Sequence, residues 1–403
     1  MIDRDIPETD LRLGIDLFAE NPQAYVKDRA VALLCHAASV TQDYRHLTEI
    51  AAQAKLDVIR CFGPEHGIWA DAQDMEAVET KEQLEPNTGA PVSSLYGHRI
   101  EQLTPSKESL AGVELLIIDL QDIGTRYYTY IYTACLCTMR CAELGIKVLI
   151  LDRPNPLGGI EVEGRYTGSD YLSFVGMWPL PTRHGLTLAE VVSLISHRES
   201  WPAQIEVLEV QGWQRKDLLC DLKQSWVLPS PNMPSFEAML VYPGMCLIEG
   251  TEMSEARGTT KPFEWVGAGY INPFEWADAL NALKLPGIHF RPLYYKPTFH
   301  KWAHQTIGGV QLHITNAHQV QPLRIGLHLL ATTKRLYGAQ LEWRQKAYEF
   351  VSDRLAIDLL FGDDEARQLI DAQATPEEID AYWGRCQIEA DAFKEERAPF
   401  LIY

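Results

Sequence analysis

Val58-Ile59-Arg60-Cys61-Phe62-Gly63-Pro64-Glu65-His66-Gly67 decides how the chain is read. A largely apolar run, short enough for a strand, ends in a Gly-Pro turn that carries an acid and a histidine. The pattern returns twice. Residues 115–118 run into Asp119-Leu120-Gln121-Asp122-Ile123-Gly124-Thr125-Arg126, and residues 148–151 run into Asp152-Arg153-Pro154-Asn155-Pro156-Leu157-Gly158-Gly159. Turns need Gly and Pro, but they do not need this many charged groups. In an open parallel sheet the carboxyl ends of the strands face one crevice, and ligands bind there. Glu65, His66, Asp119, Asp122, Arg126, Asp152, Arg153 and Asn155 are therefore expected to share a pocket.

Outward from these stretches the chain alternates strand and helix. An apolar run at 30–34 predicts a first strand, and polar and apolar residues at helical spacing over 41–55 predict a helix. The acidic, apolar-poor segment 71–91 reads as a loop over the crevice, and 92–96 as a short strand. Residues 130–144 carry a helical pattern between two strands. A helix opened by Thr187 is predicted over 188–197 and a strand over 205–210. This alternation argues for an α/β fold with a parallel sheet. Between 212 and 269 Pro, Gly and polar residues are dense and periodicity fades. A second region starts near Pro273, with a strand at 305–314, a helix at 324–336 and one or two short helices from Pro376. The apolar end Phe400-Leu401-Ile402-Tyr403 predicts a docked terminus. A chain of 403 residues exceeds one simple core. The division is drawn as 1–265 and 266–403.

Composition removes several function classes. The formal net charge is −19, which disfavours a nucleic-acid partner, because phosphate binding needs clustered Lys and Arg. No stretch approaches the ~20 apolar residues that span a bilayer. Met1-Ile2-Asp3-Arg4-Asp5-Ile6-Pro7-Glu8 lacks a basic segment followed by an apolar one, so no export leader is read, and a cytoplasmic location is expected. The eight cysteines read as reduced core thiols. Cys137 and Cys141 share a helix face but have no ligand partners at metal spacing. The chain has no Gly-rich dinucleotide fingerprint, no P-loop, no Gly-X-Ser-X-Gly elbow and no His-Glu-X-X-His pair. The sheet reads as Rossmann-like without the usual cofactor motifs.

Each motif has a plain structural reading and a chemical one. Glu65 beside Pro64, Ile68 and Trp69 is either a helix cap in a turn or a partly desolvated acid–base group. Asp119 to Arg126, followed by Tyr127-Tyr128-Thr129-Tyr130, is either an ion pair with core tyrosines or a carbohydrate pocket, in which carboxylates meet hydroxyls and aromatic rings meet the sugar face. Asp152-Arg153-Pro154-Asn155-Pro156 is a rigid turn that suits either an internal salt bridge or ligand positioning. Arg183-His184-Gly185 precedes a helix start, where anions are favoured. Residues 248–260 hold Glu249, Glu252, Glu255 and Arg257, and read as a second wall of the crevice.

Taken together these motifs resemble the exo-β-N-acetylmuramidases of glycoside hydrolase family 171, formerly a domain of unknown function. The resemblance is carried by Pro64-Glu65-His66-Gly67, by Asp119 to Arg126 with Tyr128-Thr129-Tyr130-Ile131, and by Leu151 to Gly159. It continues through His184-Gly185, Pro229-Ser230-Pro231-Asn232-Met233-Pro234, Glu249-Gly250-Thr251, Arg257-Gly258-Thr259 and the Leu401-Ile402-Tyr403 end. It implies a Rossmann-like N-terminal domain with a smaller C-terminal α/β domain. It also implies release of N-acetylmuramic acid from the non-reducing end of peptidoglycan fragments, without metal or nucleotide. Glu65 takes the catalytic position, as general acid. Its partner is left open among Glu249, Glu252, Asp119 and Asp122, or the substrate's own acetamido group. His66, Asp119, Arg126, Tyr128, Asp152, Arg153, Asn155, His184, Asn232 and Arg257 are expected to bind substrate. The lactyl carboxylate needs one of Arg126, Arg153, Arg183 or Arg257. The chain departs from the family at Glu252 (usually Asn), Ala256 (usually Gly), Gly269 (usually Pro) and Cys35-His36 (usually Thr-Asn or Thr-His). Two rivals remain: a metal-assisted hydrolase using His66, Asp119, Asp122, Asp152 and His184, and a non-catalytic wall-fragment-binding protein.

Overall fold

The computed structural model describes residues 10–78 and 83–403. Residues 1–9, on which the reading of the chain's start rests, and 79–82 of the acidic loop lie outside the described residues. The strands β1 (Val31–Cys35), β2 (Val58–Gly63), β3 (Val92–Ser94), β4 (Leu115–Asp119), β5 (Lys147–Leu151) and β6 (Ile205–Leu208) form one sheet in the order β3-β2-β1-β4-β5-β6. Every neighbouring pair is parallel. Central β1 and β4 are buried throughout, as parallel strands covered on both faces require. Their side chains alternate between two cores. Val31, Leu33 and Cys35 pack with α1 (Gly14–Glu20), α2 (Pro22–Val26) and α3 (Leu47–Gln53), whereas Ala32 and Leu34 face α4 (Tyr130–Leu144) and α5 (Leu188–Arg198). The α4 helix covers the span read from the sequence. By contrast α3 is shorter than expected. Thr41 N–H closes a turn on the Arg45 carbonyl, and His46 then caps the helix by accepting from Thr48 N–H.

The region of faded periodicity contains α6 (Phe236–Met245), buried along Ala238 to Met245. A helix surrounded by protein shows no apolar–polar alternation, which is why the pattern vanished there. It is followed by β7 (Trp265–Ala268), α7 (Pro273–Ala282), β8 (Ile288–Tyr295), β9 (Ile307–Ile314) and α8 (Pro322–Tyr337). The three strands form an antiparallel sheet in the order β7-β9-β8. Helices α6 and α8 meet at glycines. A Cβ on Gly244 would lie 1.8 Å from the Pro322 carbonyl oxygen, so only glycine permits this approach. The chain ends with α9 (Ala356–Phe361), α10 (Glu365–Asp371) and α11 (Pro376–Arg397). The last is one helix of 22 residues where one or two short ones were expected, opened by a Thr375–Glu378 capping box. One apolar cluster runs from α4 and α5 through β9 to α11, so both sheets contribute to a common core. Tyr403 docks as expected: its hydroxyl donates to Asp152 and accepts from Val210 N–H, each at 2.9 Å. All eight cysteines are free, and all but Cys220 are buried. No described helix is long and apolar enough to cross a membrane.

Candidate active site

Beyond the end of β2 the chain turns at Glu65 and His66 into a narrow cavity of about 30 Å³. Its other walls come from the α4 entrance, the loop carrying Asp74, Val175, the 230–263 stretch and the turn at Tyr348-Glu349. Thr129, the N-cap residue of α4, donates its hydroxyl to Glu65 Oε2 at 2.6 Å. His66 has φ 68°, and its Nδ1 donates to the Ala72 carbonyl at 2.9 Å. Burial holds its pKa below the usual value, so the ring is neutral and Nε2 is its acceptor.

Arg257 is the only arginine or lysine among the described lining residues. It donates to Glu249 at 2.7 Å, lies 3.3 Å from Asp74 and 3.4 Å from Glu255, and rests its guanidinium on the Phe263 ring. Glu249 also accepts from the Tyr348 hydroxyl at 2.7 Å. Glu255 behind it is held well below the usual carboxylate range. Burial opposes this, but Lys301, His300 and Arg257 prevail. Burial pushes Asp74 up to about 7, against the pull of Arg257 and with the help of Glu249 and Glu65. Glu349 accepts from the Tyr96 hydroxyl at 3.2 Å. Burial, then Glu65 and Asp74, push it well above its usual range. Oxygens of Glu65, Asp74 and Glu349 lie within 4.8 Å of one another, a spacing that could also hold a cation. Tyr127, Tyr128, Tyr130, Tyr242 and Phe263 supply aromatic walls, and Asn232 donates to Gln73 at 2.9 Å.

The other strand ends are filled differently. Asp119 forms a buried pair with Arg153, whose second nitrogen donates at 2.9 Å both to Asp119 and to the Val40 carbonyl. Asp152 accepts from Ala189 N–H at the start of α5 and from Tyr403. Asn155 bonds the Leu186 carbonyl and Leu157 N–H, and its side chain fits only because residue 124 is glycine. Arg126 donates to the carbonyls of Val175 and Leu360. Arg183 pairs with Glu163 at 2.9 Å. Asp122 accepts from Gly124 N–H at 2.6 Å, and burial pushes it up to about 7. His184 Nε2 lies 3.7 Å from it, and burial, with Arg397, holds that ring neutral at about 3.

The structure therefore gathers Glu65, His66, Tyr128, Asn232, Glu249 and Arg257, and keeps Asp119, Asp122, Arg126, Asp152, Arg153, Asn155 and His184 out of the cavity. The expected common pocket of strand ends is corrected in this respect. All seven of these groups are engaged by hydrogen bonds or ion pairs inside the fold, His184 by accepting from Leu186 N–H through Nδ1. The metal set His66, Asp119, Asp122, Asp152 and His184 is not assembled either.

Comparison with known proteins places this architecture. A family model described as exo-beta-N-acetylmuramidase NamZ, N-terminal, matches residues 31–237, and its C-terminal companion matches 240–403. This chain belongs to the NamZ family. The peptidoglycan beta-N-acetylmuramidase NamZ of Bacillus subtilis (strain 168) is 37% identical over 395 residues, which cover 98% of this chain and 91% of that protein. Two DUF1343 family crystal structures from Bacteroides fragilis NCTC 9343 share the fold. One has TM-score 0.86 and 28% identity over 98% of this chain and 100% of its own. The other has 0.74 and 26% over 98% and 99%.

The two NamZ models meet inside α6, whereas the sequence division was drawn at 265. Ala256, read from the sequence as a departure from the family, has a glycine-like φ of 63°. His36 is buried and its Nε2 accepts from Gln121 N–H, so it holds the turn after β4. Asp74, Glu349 and Tyr348 were not singled out from the sequence. Asp74 lies in a loop read from its acidic, apolar-poor composition as a whole, and Glu349 is a lone acid between two aromatics.

Proposed function

We propose that this protein is an exo-β-N-acetylmuramidase, a glycosidase that removes N-acetylmuramic acid from the non-reducing end of peptidoglycan fragments. The observation that carries the reading is the cavity itself. Several carboxyls, aromatic walls and one arginine converge beyond a strand end, in a chain of the NamZ family. Glycoside hydrolysis usually uses a pair of carboxyl groups at the scissile bond, or one carboxyl with the substrate's acetamido group, and Glu65 faces the cavity from the end of β2. Arg257 is the cation that meets the lactyl carboxylate. Glu249 and Tyr348 orient it, so Glu249 acts through Arg257. Asp122 stays outside the chemistry.

The substrate is a small carbohydrate, a muramyl disaccharide or muropeptide fragment. Seven buried free thiols support a reducing compartment, and with it cytoplasmic recycling of wall fragments. Incubation with a muramic-acid-terminated disaccharide, followed by mass spectrometry, tests the activity. Release of the terminal sugar is expected, and binding without release overturns the enzymatic reading. Fractionation of source cells tests the location, and most of the protein in periplasm or medium would reverse it.

A further inference from the structure

Two carboxyls in the cavity sit in opposite environments. Glu65 takes a hydroxyl hydrogen bond at 2.6 Å from Thr129, the N-cap residue of a 15-residue helix. Glu349 has no arginine, lysine or histidine within ion-pair distance among the described residues. Its hydrogen bond comes from the neutral phenol of Tyr96. The charged and titratable groups around it are the carboxyls of Glu65, Asp74 and Glu249 and the phenols of Tyr96 and Tyr348. Arg257 is taken up by Asp74 and Glu249. The backbone is committed to this placement. Glu349 and Phe350 are consecutive non-glycine residues at φ 45° and 68°, in a turn closed by two bonds of 2.9 Å between Tyr348 and Val351. Non-glycine residues held at positive φ are strained, and such strain concentrates at functional sites.

We propose that Glu349, supplied by the C-terminal part of the chain, is the proton donor to the leaving glycosidic oxygen, and that Glu65 is its partner on the C1 side. The inference rests on the muramidase reading above. Glu349 passes its proton to the glycosidic oxygen as the C1–O bond breaks and that oxygen keeps the bonding pair. Glu65 stabilises the electron-poor C1, directly or by orienting the acetamido oxygen that attacks it. Water then adds to C1 and returns a proton to Glu349. Paired carboxyls whose environments push them apart divide acid and base roles in this way. An oxygen spacing under 5 Å suits attack by a neighbouring group better than a water held between two carboxyls.

The test compares Glu65→Gln and Glu349→Gln on two substrates: a muramyl disaccharide, and a 2,4-dinitrophenyl β-N-acetylmuraminide whose leaving group needs no proton. Glu349→Gln is expected to lose about a hundred- to ten-thousandfold in kcat/KM on the disaccharide but under about tenfold on the aryl glycoside. It should also lose the alkaline limb of the disaccharide pH profile. Glu65→Gln is expected to lose activity on both substrates. Equal losses for Glu349→Gln on both substrates, or no loss on either, overturn the assignment. If the Gln variant melts below the assay temperature, Glu349→Asp must show the same substrate split. Loss of wild-type activity in EDTA with recovery on added Mn²⁺ would make the three carboxyls a metal site and overturn it too. A wild-type protein inactive on both glycosides would instead sink the muramidase reading, and this inference with it.

Discussion

At the ends of β4 and β5 the carboxylates are matched inside the fold, Asp119 by Arg153 and Asp152 by the start of α5 and Tyr403. At the end of β2 four carboxyls, Glu65, Asp74, Glu249 and Glu349, line a cavity in which Arg257 is the one arginine or lysine among the described lining residues. The first region lies at the switch point of the sheet, between β1 and β4, where open α/β folds usually bind ligands. Here that crevice is closed by a structural network. The chemistry we propose sits one strand further out, where β2 delivers Glu65 towards residues from the second half of the chain. A strand-end position alone does not mark a site. An unmatched charge there does, because buried carboxylates without cations hold protons or await a ligand.

The comparison breaks first at Glu65. Glu65→Gln is expected to lower turnover by about two to four orders of magnitude with little change in thermal stability. A variant keeping more than a tenth of wild-type activity would move the chemistry elsewhere. The opposite signature is expected at the switch point. Arg153→Met strands the buried Asp119 and should cost about 3–5 kcal/mol of stability, while the protein that remains folded keeps its kcat. Denaturant unfolding and active-site-normalised assays separate the two, and a kcat loss at full stability would return Arg153 to the site.

A smaller effect sharpens the role of Arg257. Hydrogen bonds to charged groups contribute about 1.5–3 kcal/mol, so muramyl glycosides should exceed matched N-acetylglucosaminyl glycosides about ten- to a hundredfold in kcat/KM. Equal values would remove the lactyl carboxylate from recognition. The smallest effect concerns Asp122. Its folded pKa of about 7 lies above an unfolded value of about 3.9, so the folded state holds the extra proton. Its contribution is fully present below about pH 4 and is lost as pH rises towards 7, with a slope of at most about 1.4 kcal/mol per pH unit. Asp122→Asn should flatten that decline, and melting curves between pH 4 and 8 that match wild type would show that Asp122 does not titrate in this window.

The sequence by itself determined the parallel sheet, the boundaries of α4, the docked Tyr403 end and the family. These rest on local apolar runs, on turn residues beside them and on the order of short motifs, all of which are carried by neighbours in the chain. It also marked Glu65, His66, Tyr128, Asn232, Glu249 and Arg257, since acids and aromatics beside Gly and Pro stand out in any turn. Only the tertiary structure decided which charges meet. Arg153 answers Asp119 from 34 residues away, Tyr403 answers Asp152 from 251, and Tyr96 reaches Glu349 across 253. Whether a carboxylate is neutralised, protonated or left facing a cavity depends on partners within a few ångströms, and sequence spacing does not encode those distances.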